Sequence, residues 1–300
     1  MIDGLIVRPL SLLRVGVLGL IWGSNFLWIK VSLQGLSPIL MVLVRMSLAA
    51  LFLITFQLIR KRRLPGGLRL WAHLVIAAAL ANVAPYLLFA IGEQSVNSST
   101  AGILNATTPI WTVAVALAVR QEKQPNASKV AGLALGFLGT LIIFAPWHLG
   151  SQIMSVGGLA CLLASISFAM SYVYMARYLA GRRFDPLELS ASQMGAAAVL
   201  SACAVPFLGW QPPAWQQLDV LIAVTVLGVV GTGVAYVITY RIIADDGATA
   251  ASIVTYLVPA VAILLGTVVL HEKPTITAII GTMVVLAGVA ISHRHPAQIN

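Results

Sequence analysis

The chain has 300 residues, of which 59% are hydrophobic and 9% charged, and a formal net charge of +9. Soluble domains carry roughly 25% charged residues, so this composition excludes an ordinary soluble protein and points to a membrane-embedded one. Two cysteines, Cys161 and Cys203, are too few for a disulfide framework, and no hydrophilic stretch is long enough to fold by itself.

About 20 consecutive apolar residues cross a bilayer. Ten such stretches follow one another, at about 11–33, 38–60, 70–92, 98–119, 127–146, 153–177, 187–209, 218–241, 249–270 and 275–293. Residues three, four and seven apart share one helix face, which makes the few polar residues informative. Span one presents Trp22, Asn25 and Ile29 together, with Ser24 and Trp28 adjacent. Span three offers Asn82 with Tyr86, beside Pro85. Span four aligns Asn105, Thr108 and Thr112, and has Pro109 near its centre. Span six aligns Ser167, Ser171, Tyr174 and Tyr178. Thr225, Gly228, Thr232, Tyr236 and Thr239 form a stripe in span eight, and Ser252, Thr255 and Pro259 one in span nine. Singly, such groups hydrogen-bond one helix to the next; six stripes at one depth predict a cavity. Spans five and ten differ. Gly132, Gly136 and Gly139 in one, and Gly281 and Gly288 in the other, have helix-contact spacing, for scaffold packing or an oligomer surface.

In a soluble protein the positive charge would suggest nucleic acid; here its distribution sets orientation, and no nucleic-acid partner is expected. With a cytoplasmic N-terminus, the connectors and tails on that side hold fifteen of the eighteen Lys and Arg residues, the densest run being Arg60 to Arg63. The positive-inside bias therefore predicts that both termini are cytoplasmic, with lipid headgroups as the partners of that run. Every acidic residue falls at a span end or in a connector, so no carboxylate relay for protons is visible at mid-depth. Lys30 and Arg45, toward the outer ends of spans one and two, are expected to snorkel to the headgroups or else to attract a substrate carboxylate at the outward mouth. His73 is expected at the interface.

Residues 101–122, AGILNATTPIWTVAVALAVRQE, recur in pattern at 251–272, ASIVTYLVPAVAILLGTVVLHE, with Pro109 and Pro259 in register. Ser37-Pro38 matches Asp185-Pro186, Met46 matches Met194, Tyr86 matches Tyr236, Gly132 matches Gly281 and Gly139 matches Gly288. The halves are 1–148 and 149–300, five spans each. Five is odd, so the second copy enters the membrane inverted, an arrangement characteristic of secondary transporters. Pro109 and Pro259 remove a backbone donor and crowd the carbonyls of Asn105 and Thr255, predicting a mid-depth kink in each half. Gly228, Gly231 and Gly233, with the prolines, are the expected hinges.

No nucleophile elbow, zinc helix or phosphate-binding loop occurs. The sequence implies no enzyme, cofactor or metal. Asp245-Asp246-Gly247 reads as a turn before span nine. WGSNFLWIK in span one, RQEK and HEK after spans four and nine, the paired TTP and LVP kinks and the ten-span inverted duplication resemble the drug/metabolite transporter superfamily, specifically its EamA-domain exporters. Over the whole chain the resemblance is greatest to the bacterial YddG-type exporters of aromatic amino acids. It implies a basket in which spans one to four and six to nine line a cavity, with five and ten outside. It further implies inner-membrane export of amino acids or related metabolites by alternating access, and places Trp22, Asn25, Asn82, Tyr86, Trp111 and Tyr236 on cavity-lining spans. Export of drugs or sugar-like metabolites is the alternative within transport, and a receptor or channel the alternative outside it. Both a monomer and a homodimer are compatible with the sequence.

Overall fold

Proline sets where two helices begin, because its missing N–H and fixed φ suit the first helical turn. Pro38 and Pro186 each open a helix, and Asp185 Oδ1 accepts from the Leu187 amide at 2.9 Å. The computed structural model describes residues 9–61, 64–92, 95–96, 98–121, 127–144, 154–181, 184–208, 212–213, 216–269 and 275–292. Ten helical spans account for them: α1 (Pro9–Ser32), α2 (Pro38–Ile59), α3 (Leu68–Gly92), α4 in two pieces (Ser98–Asn105 and Thr108–Ala118), α5 (Ala127–Phe144), α6 (Val156–Tyr178), α7 (Pro186–Leu208), α8 (Leu218–Asp246), α9 (Ala248–Val269) and α10 (Ile276–Ser292). Among the described residues there is no strand. The charged ends RQEK and HEK fall largely outside these ranges, as do Arg62, Arg63, Arg182 and Arg183. The side chain of Lys30 is also outside them.

The bundle carries its apolar residues outward and its polar ones inward, as hydrocarbon surroundings demand. Leu51, Leu58, Val199, Phe207 and Met283 are exposed, whereas Asn82, Gln193, Thr232 and Ser252 are buried completely. This is an all-α polytopic membrane protein.

Helix contacts give the internal symmetry. α5 packs most heavily on α10 and α2 on α7, each on its own counterpart five spans later. α1 lies on α8 and α9 as α6 lies on α3 and α4, and α3 meets α7 as α8 meets α2. Five helices per repeat make the two copies inverted with respect to each other. The matching fails most clearly around α6. α6 also touches α8 and α9 beyond this shared set, but the corresponding approaches of α1 to α3 and α4 are thin or missing among the described residues.

The α5–α10 pair explains its glycines. A Cβ on Gly132 would meet the Gly288 carbonyl oxygen at 2.6 Å, one on Gly139 the Gly281 oxygen at 2.7 Å, and one on Gly288 the Gly136 amide nitrogen at 2.6 Å. These small residues serve contact between the repeats within one chain, the packing use.

Two matched irregularities interrupt the helices. α3 contains a π-turn at Ala79–Val83 and α8 another at Val229–Val234, each followed within three residues by Tyr86 and Tyr236. π-turns insert an extra residue into the helical count and concentrate at functional sites. The two central prolines behave differently from each other. At Pro109 α4 breaks, and the Leu104 carbonyl accepts from Thr107 Oγ1 at 2.6 Å and Ser165 Oγ at 2.8 Å. Pro259 instead lies inside a continuous α9. That helix is buried on all sides from Ala248 to Val261, and the surrounding helices hold it in one piece.

Candidate functional site

A cleft of about 860 Å³, its open mouth included, fills the gap left by the broken symmetry. Trp22, Asn25, Ile29 and Leu33 from α1 and Met41 and Arg45 from α2 form one wall. Tyr86, Phe89 and Ala90 of α3 and Asn105 of α4 form the other. Phe168 and Tyr172 of α6, with Thr255 and Val258 of α9, complete the lining. The lining runs from mid-depth to the end of the bundle that carries the α1–α2 and α3–α4 connections. Its apolar wall with a few polar groups suits a small organic solute. Tyr86 meets Phe168 edge-on, ring centres 5.8 Å apart.

Arg45 corrects the snorkelling expectation. Its side chain is 2% exposed and stays at mid-depth because α8 provides acceptors there. Nε donates to Thr232 Oγ1 at 2.6 Å, and Nη2 donates to the Gly231 carbonyl at 3.3 Å. With its amide oxygen facing the arginine, Asn25 accepts from Nη2 at 3.1 Å and donates to the Ile21 carbonyl at 3.2 Å. Thr232 itself donates to Leu227 O, five residues back, at 2.9 Å, so the π-turn of α8 builds the arginine's socket. Gly231 lacks a Cβ where Asn25 makes its approach. The guanidinium carbon lies 4.4 Å from the Tyr86 ring centre, a cation–π arrangement. A cation at the middle of a bilayer costs about 2.5–3.5 kcal/mol on insertion scales, and the ring and oxygens offset this. The ion pair of Arg14 with Asp245 lies far from the cleft.

Of the other residues expected from the sequence, Trp22, Asn25, Tyr86, Asn105 and Thr255 line the cleft. Asn82, Thr108, Trp111, Ser171, Tyr174, Thr232 and Tyr236 do not. Asn82 Oδ1 accepts from Gln193 Nε2 at 2.7 Å, and Gln193 Oε1 accepts from the Tyr240 hydroxyl, a buried chain joining α3, α7 and α8. Tyr236 donates to the Ala81 carbonyl at 2.6 Å. That oxygen lies four residues before Pro85, so the tyrosine replaces the donor that proline lacks. Trp111 Nε1 donates to Thr107 Oγ1 at 3.2 Å and Ser171 Oγ to Phe168 O at 2.7 Å. Thr108 is fully buried and its hydroxyl has no partner.

Tyr174 lies at the opposite end of the bundle, its hydroxyl 2.6 Å from His73 Nδ1, and His73 stacks on Tyr178 at 4.8 Å. This ties the start of α3 to the end of α6. A second tie at the same end joins the start of α1 to the end of α8: Arg14 pairs with Asp245, and Ser11 Oγ donates to Asp246 Oδ2 at 2.7 Å. The Asp245-Asp246 turn thus anchors α1 as well as ending α8 at Gly247, whose φ is +90°. One end of the bundle is tied twice, and the cleft reaches the other.

Sequence reasoning missed Phe89, Phe168 and Tyr172 as lining residues. Arg45 alone carried a signal, since an ionisable residue inside a span is a functional candidate.

A ten-helix bundle of two inverted repeats around a mid-depth cleft is the architecture of a membrane transporter. The sequence profile of the EamA-like transporter family matches residues 11–145 and 155–293, and the chain belongs to that family. It is similar to the uncharacterised transporter YdfC of Bacillus subtilis, 25% identical over 281 residues, covering 93% of this chain and 90% of that one. An uncharacterised transporter of Archaeoglobus fulgidus is 26% identical over 282 residues, covering 91% and 95%. The uncharacterised inner membrane transporter YedA of Escherichia coli is 27% identical over 252 residues, covering 83% and 79%. One solved crystal structure shares the fold with a TM-score of 0.76 at 20% identity, over 95% of this chain and 96% of that one.

Proposed function

We propose that this transporter exports amino acids, aromatic and other neutral ones, across the bacterial inner membrane by alternating access, as the YddG-type exporters it resembles do. The observation that carries the reading is the broken symmetry: α1 stands apart from α3 and α4, while its counterpart α6 is closed on α8 and α9. Because the repeats are inverted, exchanging the two arrangements closes the present cleft and opens its twin on the opposite face. In this reading the repeats are 1–148 and 149–300, with Gly231, Gly233, Pro85 and the break at Pro109 as hinges. The tied end holds Arg14, Arg60, Lys61, Arg120, Arg177 and Arg241, which makes it cytoplasmic by the positive-inside bias, along with both termini. The cleft then faces outward. Aromatic walls take the apolar side chain of an amino acid.

Purified protein in liposomes, offered labelled tryptophan, phenylalanine, methionine, threonine and sugars with and without a pH gradient, tests this. Saturable amino-acid flux is expected. Flux of a sugar without any amino acid would overturn the substrate, and single-channel currents would overturn alternating access.

The ion pair at the tied end should bias the equilibrium only modestly. Its side chains are 23% and 38% exposed, and exposed pairs contribute about 0.2–1 kcal/mol, at most about fivefold in population. Arg14→Gln is therefore expected to slow thiol labelling of a Phe89→Cys probe in the cleft by no more than about fivefold. Labelling unchanged from the parent would show that the pair does not hold this state.

A further inference from the structure

We propose that the cleft selects its solute by a carboxylate, received by Arg45 Nη1, and rejects cationic amines of the same shape. The inference rests on the cleft being the transport site. It deepens that reading by assigning a recognition group and a charge rule.

The guanidinium has five N–H donors. Nε is taken by Thr232, and Nη2 by the Gly231 carbonyl and the Asn25 amide oxygen. Nη1 has no acceptor among the described residues, although Arg45 lines the cleft. The three engaged bonds and the Tyr86 ring fix the plane of the group, so its remaining donors are pre-set before any solute arrives. All its protein partners are neutral. A buried cation with two unmet donors and, among the described residues, no carboxylate beside it favours an anionic partner from outside the protein. Arginine meets carboxylates with charge-assisted hydrogen bonds, the stronger kind.

Two further cleft residues carry unmet polar atoms. Among the described residues, Trp22 Nε1 is a buried donor and Asn105 Oδ1 a buried acceptor without partners, each on a residue of the cleft wall and reached once that side chain turns toward the solute. A carboxylate has the acceptor capacity for an indole N–H as well as for Nη1. An ammonium has the donor that the Asn105 oxygen lacks. The cleft therefore has complementary groups for both ends of a zwitterion, with Phe89 and Phe168 left for an apolar side chain. A cationic amine without a carboxylate would bring a second positive charge beside Arg45 in a largely apolar space, a repulsive element that confers specificity.

The test is binding to the wild-type protein in detergent, measured by thermal shift with matched pairs: phenylalanine against phenethylamine, leucine against isopentylamine, and 3-phenylpropionate as the acid without an ammonium. The carboxylate members are expected to bind at least about tenfold more tightly than the amines, with 3-phenylpropionate weaker than phenylalanine but stronger than phenethylamine. Arg45→Gln is expected to erase the difference within each pair; if that variant does not fold, the wild-type series decides alone. Amines that match or exceed their carboxylates would overturn the proposal. So would the absence of binding by any carboxylate. Neither result would touch alternating access, which cleft labelling from the two faces reads separately.

Discussion

Gly288→Ala is expected to remove most folded protein from the membrane, with a stability loss of about 3 kcal/mol or more, at the upper end for overpacked sites. The added methyl would lie 2.6 Å from the Gly136 amide nitrogen and 2.8 Å from the Gly132 carbonyl oxygen. Both are backbone atoms, so no side chain can swing away to relieve the overlap, and α5 and α10 must separate along their whole contact. Gly16 in α1 is the control, because nothing lies within 4 Å of a Cβ placed there. Gly16→Ala should leave the melting temperature in detergent near that of the parent. Equal stability of the two variants would show that the α5–α10 seam is looser than its geometry.

Tyr86→Ala is expected to cut transport at least about tenfold, a loss of about 1.4 kcal/mol in transition-state terms, while the protein still folds. The tyrosine ring is half-buried in the cleft, beneath the Arg45 guanidinium and against Phe168. Its removal strips both the cation–π contact and one wall. Asn82→Leu should do the reverse. It leaves Gln193 Nε2 unpaired in the buried chain to Tyr240, a loss of about 0.6–1.7 kcal/mol by membrane-protein measurements, but flux per folded molecule should stay within about twofold, since additivity errors at separate sites are about 0.3–0.5 kcal/mol. Flux normalised to folded protein separates the two outcomes. A tenfold loss in Asn82→Leu with full stability would place that residue in the solute path after all.

The contrast between these residues shows how far the sequence could be read. The ten spans, the duplication and the helix-starting prolines rest on composition and local chemistry, which a single sequence contains. The site rests on helix phase, and there Asn82 and Tyr86 were assigned one stripe by regular helical spacing. The π-turn at Ala79–Val83 lies between those faces and adds a residue to the count. Asn82 accordingly turns toward α7, and Tyr86 toward the cleft. The same slip occurs in α8, where Thr232 supports Arg45 and Tyr236 caps the carbonyl freed by Pro85. No local pattern marks a π-turn, because its backbone is stabilised by neighbouring helices. Arg45 was misplaced for a related reason. Long basic side chains near helix ends usually reach the headgroups, and only the acceptors of α8, nearly 190 residues further along the chain, give this one a reason to turn inward.

The twin prolines make a complementary point. Pro109 and Pro259 occupy matching positions, yet one breaks its helix and the other does not. What differs is the packing: α9 is buried on every face around Pro259, whereas α4 is exposed at Ile110, beside Pro109. Sequence symmetry thus predicted a kink at both prolines, and the structure breaks α4 but carries α9 through Pro259 as one helix.

The account stands on a cleft that is reached from one face at a time. A single cysteine at Phe89, in a Cys161→Ala, Cys203→Ala background, can be probed with a membrane-impermeant thiol reagent applied to each face of oriented vesicles. Rapid labelling from the face of the α1–α2 connection, slow labelling from the other, and protection by saturating solute are the predicted result. Equal labelling from both faces, indifferent to solute, would contradict the account and describe an open pore instead.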